Sequence, residues 1–334
     1  MALCLALAAS CSGLSAQKAN VTYVEGVSNI KSSAGKLRIA DFGSTVTYGE
    51  SVITGKDGLV EMMLENGSTI KVTENSVFSY SSTGSGVDSR TVLATTAGKI
   101  SYKLNKVSGR SPLIQTNSMV AGVRGTEFTV FAGRDGSVLL AVTEGIVDVE
   151  SQGEMVSLFK DEAVEVMPGE APGEKFVWLG RELDFSSWNQ GKMDDFLADP
   201  VAGIDSVSSQ LSEYRDALEA LKKPYEEATA TWRAATDEYK KLLADGNMDL
   251  IKAYQKETLF PAQDTRATLI LNIRFHALNY LSVRRYVVSN MYMEMKSRYP
   301  VQKSPEVTTF FTRHAELLVR YEAEIVPELN ENDY

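Results

Sequence analysis

Short runs of alternating apolar and polar residues follow one another along the first half of the chain. They are rich in β-branched and aromatic residues and are separated by turn residues, and they occupy residues 21–24, 44–48, 59–64, 69–72 and 77–80. Strands at this spacing, with no helical period between them, predict an all-β domain over residues 17–168, as a roll, a sandwich or a short solenoid. Residues 138–142 are apolar throughout, which predicts a central strand buried on both faces.

Asparagine-glycine and aspartate-glycine pairs mark the turns of this β region. Asn66 and Gly67 stand between two alternating runs. Such a pair predicts a two-residue type I′ hairpin, because both turn residues of that hairpin need a positive φ. Asp57–Gly58 and Asp135–Gly136 carry the same signal.

Residues 169–204 join the β region to the C-terminal part of the chain. The segment starts with a proline- and glycine-rich stretch and then carries Trp178 and Trp188 among several phenylalanines without a clear period. We interpret it as a linker with an aromatic docking segment, because aromatic side chains at a domain junction usually bury area against a neighbour. An exposed carbohydrate-binding platform is the alternative interpretation.

From Asp205 the apolar period becomes that of a helix. A continuous 4-3 seam comprises Val207, Leu211, Tyr214, Leu218, Leu221, Tyr225, Ala228, Trp232, Ala235, Tyr239 and Leu242. This spacing predicts a long helix with a coiled-coil face. Pro224 lies within the seam and predicts a kink or a restart near Lys223. Gly246 predicts the end of the helix.

Two further long helices are predicted. One runs from about residue 262, after Pro261, to residue 298, and the next begins at Ser304 as the N-cap and Pro305 as the first helical residue. Candidate buried positions are Leu269, Ile273, Leu278, Leu281, Val288, Phe310, Leu317, Leu318, Tyr321 and Ile325. Residues 205–334 therefore predict an antiparallel long-helix bundle or coiled-coil hairpin, and the whole chain is predicted as α+β.

Two glycines flank one arginine at the most distinctive stretch of the sequence. Gly122 and Gly125 enclose Arg124 between two apolar runs. Glycine takes a positive φ or allows another chain to approach closely, so the stretch predicts a bulge or a tight corner in a sheet. Arg124 either ties down a carboxylate such as Glu127 or Glu144 or contacts a ligand, and both roles stay open.

This stretch, VRGTEF, resembles the signature of the FecR-like domain. Three further ordered motifs support the resemblance, although Glu50 stands where that family usually has aspartate. Together the motifs cover a little over a third of the chain. The positions that match are Gly49, Thr54, Gly55, Gly67, Gly122, Arg124, Gly125, Thr126, Phe128, Glu144 and Gly145.

The resemblance implies a non-enzymatic protein that works outside the cytoplasmic membrane. Signalling relatives receive a signal from an outer-membrane transporter and relay it through one membrane helix to a cytoplasmic sigma factor. This sequence shows neither that helix nor a cytoplasmic segment, so we do not expect direct relay. We expect a binding or regulatory module of the bacterial cell envelope that engages a protein partner. The alternatives are a structural or adhesive envelope protein that self-associates through its helices and, third, a carbohydrate-active enzyme on a β-solenoid.

The charge balance narrows the classes of partner. The chain has 334 residues and a formal net charge of -10. Neither half of the chain offers the basic face that nucleic acid or anionic lipid requires. Residues 1–16 carry no charge and resemble the apolar part of an export signal, which predicts an extracytoplasmic location. The basic start of such a signal is missing, so either the true start codon lies further upstream, which we expect, or the signal is a weak one.

Two processing routes fit this N-terminal segment. Residues 8–11 resemble a relaxed lipobox that would place a lipid anchor on Cys11, whereas cleavage after Ala16 would release an unlipidated protein. Cys4 and Cys11 are the two cysteines of the chain, so the body of the protein has neither a disulfide nor a cysteine-based zinc site.

Recognisable catalytic motifs are missing from the sequence. His276 and His314 are the two histidines, and neither has a second histidine one helical turn away. A zinc or iron site needs more ligands than this. No nucleophile elbow and no phosphate-binding loop occurs. The sequence therefore predicts no cofactor, no metal and no enzymatic activity.

Overall fold

The computed structural model describes residues 18–83, 90–106, 111–123, 125–178, 183–301 and 304–327. Strands occupy the chain up to Val177 and helices come after them, which confirms the predicted α+β architecture. The strands are β1 Ala19–Glu25, β2 Ser28–Lys31, β3 Leu37–Ile39, β4 Thr45–Val46, β5 Glu50–Thr54, β6 Leu59–Leu64, β7 Thr69–Val72, β8 Val77–Thr83, β9 Arg90–Lys103, β10 Leu113–Gln115, β11 Val120–Val123, β12 Glu127–Ala132, β13 Val138–Glu144, β14 Val147–Ser151, β15 Glu154–Leu158, β16 Glu162–Val166 and β17 Phe176–Val177.

Two open sheets share the long strand β9. Sheet A has the order β4-β1-β6-β7-β9-β12-β13-β16-β17, and sheet B has the order β3-β2-β5-β8-β9-β10-β11-β14-β15. All pairs are antiparallel except β9 with β10. Strand β9 passes from sheet B to sheet A at Gly98, where φ is +87° and an added Cβ would lie 2.1 Å from the Ser76 hydroxyl oxygen. Only glycine fits this crossing.

Both sheets enclose one hydrophobic core. Alternate residues along each strand point inward, as the period of two predicts. Val21, Met62, Ile100 and Phe128 come from sheet A, and Ile30, Phe78, Leu93 and Val149 come from sheet B; each is at most 1% exposed. The two-layer arrangement is a β-sandwich.

Strand β13 is buried on both faces, as its continuous apolar run predicts. Val138, Leu140 and Val142 lie in the sandwich core, whereas Leu139 and Ala141 face the opposite way. That second face packs against an aromatic cluster on the outside of sheet A. The cluster contains Phe131, Trp178, Leu183, Phe185 and Trp188.

The turns correct the hairpin prediction. Asn66 does not take a positive φ; Gly67 does, at +77°, and its N–H donates to the Leu64 carbonyl. The connection is therefore a type I turn followed by a left-handed glycine, with Asn66 Oδ1 accepting from the Ser68 N–H. The same bond pattern occurs at Gly136, and Asp57–Gly58 likewise has no positive φ. Positive φ at both turn residues occurs instead at Gln152 and Gly153, between β14 and β15.

The helices are α1 Phe185–Ala198, α2 Pro200–Asp245, α3 Met248–Tyr254, α4 Phe260–Val283, α5 Ser289–Arg298 and α6 Pro305–Glu324. Helices α3, α4 and α5 follow one another through two π-helical turns, Gln255–Leu259 and Arg284–Val288. Helix α4 runs antiparallel to α2, since Arg266 bonds to Tyr225 and Gln255 bonds to Tyr239. Helix α6 lies beside the first half of α2, with Arg320 donating to Ser208 and Ser212.

The predicted seam of α2 is buried or half-buried at every position. The predicted restart at Pro224 is wrong, because α2 continues through it. Pro224 and Ala220, whose carbonyl loses its helical donor, both lie on the exposed side, where water can bind that carbonyl.

The second long helical element starts earlier than predicted. It begins at Met248 with Asn247 as the N-cap, and it passes Pro261 without ending. The π-helical turn just before the proline changes the bonding, because the Phe260 N–H donates to the carbonyl of Gln255, five residues back. The prediction for Leu278 is also wrong, since that side chain is 52% exposed. Ala277 and Tyr280 occupy the neighbouring core positions instead.

Besides the aromatic contacts of α1, polar contacts join α2 and α4 to the sandwich. Thr83 donates to Asn272 at 2.6 Å, and Ser206 donates to the Pro168 carbonyl at 2.8 Å. The buried Gln210 donates to the Asn117 carbonyl. Among the described residues, none of the helices combines the length and apolarity needed to cross a bilayer.

Candidate functional site

The two-glycine stretch forms a corner that carries the chain from sheet B to sheet A. Strand β11 ends at Val123 in sheet B and β12 begins at Glu127 in sheet A. Gly125 has a φ of +61°, so the predicted corner is observed at this residue. Arg124 lies outside the described residues.

Gly145 holds the same corner from the neighbouring turn. Its φ is +89°, and an added Cβ would lie 2.6 Å from Thr126 Cγ2 and 2.7 Å from the Gly125 carbonyl oxygen. Thr126 is 2% exposed, and its carbonyl accepts from the Leu104 N–H. Phe128, two residues on, stacks on Tyr102 with ring centroids 5.0 Å apart. Gly145, Thr126 and Phe128 therefore have structural roles.

Gly122 differs from the other glycines of the motif. It lies within β11, is exposed, and does not have a positive φ. An added Cβ would meet no atom of the described residues within 4 Å. The described part of the fold therefore does not require glycine here, and the space above its Cα lets another chain approach the backbone closely.

A groove of about 730 Å³ lies at this corner. Its walls carry two cationic side chains, two carboxylates and several small or apolar residues. They comprise Arg90, Lys106, Ser111, Pro112, Gly122, Val123, Gly125, Glu144, Gly145, Ile146 and Asp148. Opposite charges beside an apolar floor are typical of protein-recognition surfaces.

Some of the charged side chains at the groove already have partners within the protein. Asp148 accepts a 2.6 Å hydrogen bond from the Ser157 hydroxyl. Arg90 Nε is buried and has no hydrogen-bond partner among the described residues. Glu144 lies directly opposite Glu127 in the β12–β13 register, and Lys103 pairs with Glu127 at 3.3 Å. Arg90 and Glu144 both line the groove, and Glu144 is exposed.

The upstream motif residues lie in a separate part of the sandwich. Gly49 has a φ of +87°, and its N–H donates to the Tyr80 carbonyl. Thr54 is buried; its hydroxyl donates to the Thr73 carbonyl and accepts from the Ser76 N–H. The Gly55 N–H donates to the Val27 carbonyl at 2.7 Å. These contacts hold β5 against its neighbouring turns, away from the groove.

Glu50, the first residue of β5, is held in an ion pair. Arg38 donates to both carboxylate oxygens at 2.9 and 3.0 Å, and the Thr47 N–H donates at 2.9 Å. Burial alone would raise the pKa of Glu50, but the hydrogen bonds from Thr47 and Arg38 outweigh burial and lower that pKa. Glu50 is therefore an anchored anion of the β3–β5 region.

Other parts of the molecule offer less chemistry. A shallow depression of about 890 Å³ along α6 is lined by that helix alone, without converging polar groups. His314 is buried and stacks on Tyr292 with ring centroids 4.6 Å apart, and burial lowers its pKa. Within the described ranges, no three His, Cys, Asp or Glu side chains are grouped as metal ligands.

A family model described as FecR protein matches residues 50–148. Residues 50–148 thus match a FecR domain. Every residue that lines the groove lies within the matched segment. The match supports a regulatory, non-enzymatic protein of the kind associated with the cell envelope.

Solved structures give a more distant likeness. Two crystal structures of a putative anti-sigma factor from Parabacteroides distasonis ATCC 8503 align with a TM-score of 0.34 and 17% identity. The alignments cover 42% of this chain and 65% and 64% of those chains. This chain thus spans just under two thirds of their length. A search among curated proteins finds no match.

Proposed function

We propose that this protein is a non-enzymatic, extracytoplasmic module of the bacterial cell envelope that engages a protein partner at the groove beside Gly122. The proposal includes export by the N-terminal segment, with or without a lipid on Cys11. The observation that carries it is the position of Gly122, an exposed strand glycine that the fold does not require, on the wall of a charged groove. Arg124, next to this groove in sequence, is proposed to contact the partner.

A glycine within a strand usually costs stability, about 0.5–1 kcal/mol relative to alanine. Gly125 and Gly145 have a steric reason to be glycine, whereas Gly122 has open space above it. A partner backbone that lies over Gly122 would use that space. The groove would then fix the partner through Arg90 and Lys106 on one side and Glu144 on the other.

The helical seam does not favour the self-associating alternative. Trp232, on the seam, lies 4.8 Å from the Arg266 guanidinium, and Tyr239 accepts a 2.7 Å hydrogen bond from Gln255. The second half of the seam therefore packs against α4 and the π-helical turn Gln255–Leu259 of the same chain, and the first half lies beside α6. The seam does not present the free face on which that alternative depends.

In-cell photocrosslinking of the full chain tests the proposal. A photoreactive residue at Ile146, a wall residue that is 47% exposed, should capture a distinct envelope protein. The matched control is Met63, 43% exposed on the outer face of sheet A, which should not capture it. Gly122→Phe, which fills the open space, should abolish capture at Ile146 without lowering the melting temperature. Equal capture at both positions, or capture that survives Gly122→Phe, would contradict the proposal.

A further inference from the structure

The edge strand β3 exposes both its backbone and its side chains. It pairs with β2 through the register Asn29 with Ile39, Ile30 with Arg38 and Lys31 with Leu37. No strand pairs with its other edge among the residues that the structure describes. Leu37 is 58% exposed and Ile39 is 70% exposed.

The alternation of hydrogen-bonded pairs between β2 and β3 shows which backbone groups of β3 face the open edge. The Ala40 N–H donates to the Ser28 carbonyl, and the Ser32 N–H donates to the Lys36 carbonyl. Hydrogen-bonded pairs alternate along an antiparallel ladder, so Arg38 also turns its N–H and carbonyl towards β2. The N–H and carbonyl groups of Leu37 and Ile39 therefore point outward. They offer two donors and two acceptors to an added strand.

The opposite edge of sheet B is covered in a way that β3 is not. On β15, Lys175 Nζ donates to the Ser157 carbonyl at 3.2 Å and also pairs with Glu162. Edges are commonly protected by such covering groups. No side chain in the described part of the chain donates to the outward carbonyls of β3 in this way, and Phe42, 80% exposed in the following turn, extends its apolar surface.

The charge around β3 is basic although the chain as a whole is acidic. Lys31 lies opposite Leu37, and Lys36 precedes that residue. Burial lowers the pKa of Lys31, and the nearby charge of Arg285 lowers it further. None of these three cations has an ion-pair partner within the described ranges. Glu50 is occupied by Arg38 and does not neutralise them.

We infer that β3 is a second docking edge, at which an extended, acidic segment of a partner protein adds a strand to sheet B. Apolar residues of the added strand would pack beside Leu37 and Ile39, and its carboxylates, which point to the other face, would lie on the side of Lys36. Lys31, which shares the face of Leu37, would add attraction at longer range. A second copy fits less well, because pairing of two β3 edges would bring two basic clusters together. This edge is independent of the groove: β3 and β11 are separated within sheet B, and β3 precedes the family match.

A peptide-binding experiment tests this edge on the full chain. The probe is a fluorescein-labelled nine-residue peptide that alternates valine with glutamate, and the control probe alternates valine with lysine. Fluorescence anisotropy should show binding of the glutamate peptide and at least about tenfold weaker binding of the lysine peptide. Equal binding of the two peptides, or no binding of the glutamate peptide, would overturn the inference.

Ile39→Pro is the decisive variant. It removes an outward N–H that makes no bond within the protein, so folding should be retained. Affinity for the glutamate peptide should fall by about tenfold or more, because one hydrogen bond is lost and the ring obstructs the edge. The matched variant Ile39→Thr keeps the N–H and should bind within about threefold of the parent. An unchanged affinity of Ile39→Pro would overturn the assignment.

Two readouts separate this inference from its alternatives. Gly122→Phe should leave peptide binding unchanged. The proposal for the groove and the inference for the β3 edge can therefore be refuted independently of each other. Sedimentation of the parent chain should show no concentration-dependent dimer that Ile39→Pro abolishes. Such a dimer would overturn the inference in favour of a second copy as the occupant.

Discussion

Alanine substitutions at the corner glycines, each of which adds one methyl group, distinguish a structural role from a binding role. Gly145→Ala places a Cβ in a left-handed conformation, which costs about 1–2 kcal/mol. The same Cβ would lie 2.7 Å from the Gly125 carbonyl oxygen, a backbone atom that cannot rotate away. Overpacking of this kind costs about 1–3 kcal/mol more. Gly145→Ala should therefore lower the free energy of unfolding by about 2–5 kcal/mol.

Gly122→Ala should change the free energy of unfolding in the opposite direction. Its Cβ meets no atom of the described residues within 4 Å, and its φ is not positive. The substitution removes only the excess freedom of glycine in the unfolded chain, so it should raise the free energy of unfolding by about 0.4–1 kcal/mol. Crosslinking from Ile146 should nevertheless weaken if a partner backbone occupies this space.

Urea unfolding followed by far-ultraviolet circular dichroism measures both effects on the full chain. Gly153→Ala is the matched control, because Gly153 has a φ of +73° and open space around its Cβ. It should lose about 1–2 kcal/mol, the cost of the left-handed conformation alone. If Gly122→Ala loses more than about 1 kcal/mol, the fold does need that glycine and the argument for an open binding surface is refuted.

Three other predictions rest on single contacts. Trp188→Phe removes the 3.1 Å hydrogen bond from the indole N–H to Glu165 but keeps an aromatic ring on sheet A, so chemical unfolding should show a loss of about 1 kcal/mol. Glu50→Gln should be less stable than the parent at neutral pH. Because the folded-state pKa of Glu50 lies below its ordinary 4.5, the stabilising contribution of this carboxylate is present above pH 4.5 and is lost as the pH falls through the folded-state pKa. Thermal melts of the parent and the variant across that pH range would show this loss. Trp232→Ala should lower the free energy of unfolding by about 2 kcal/mol through lost packing against Arg266, with no change in sedimentation mass, whereas a change in mass would restore the self-associating alternative.

Local patterns were sufficient where one element buries one face. The alternating strands, the 4-3 seam from Val207 to Leu242 and the Ser304 cap are observed as predicted, because each depends on residues a few positions apart. Helix α1 was not predicted, because it buries two different faces. Phe185 and Trp188 pack on sheet A, whereas Met193 and Phe196 enter the helical core, so no single stripe appears in the sequence.

The corner motif also combines a feature that the sequence predicts with one that only the structure decides. The sequence indicated that Gly122 and Gly125 serve a backbone purpose, but it could not distinguish them, because both are glycine in one short stretch. Only the structure shows that Gly125 takes a left-handed conformation and that Gly122 lies under open space. It also brings Arg90 and Asp148, from distant parts of the chain, to the groove.

The sequence by itself determined the order of a β half and a helical half, the strand and helix periods, and the resemblance to the FecR-like domain. These features depend on local propensity and periodicity. Tertiary structure alone decided that β9 joins two sheets at Gly98, that α4 and α6 cover the α2 seam, and that β3 is left as an open basic edge. Strand pairing and helix packing join residues far apart in the chain, and no local pattern specifies which partner each element meets.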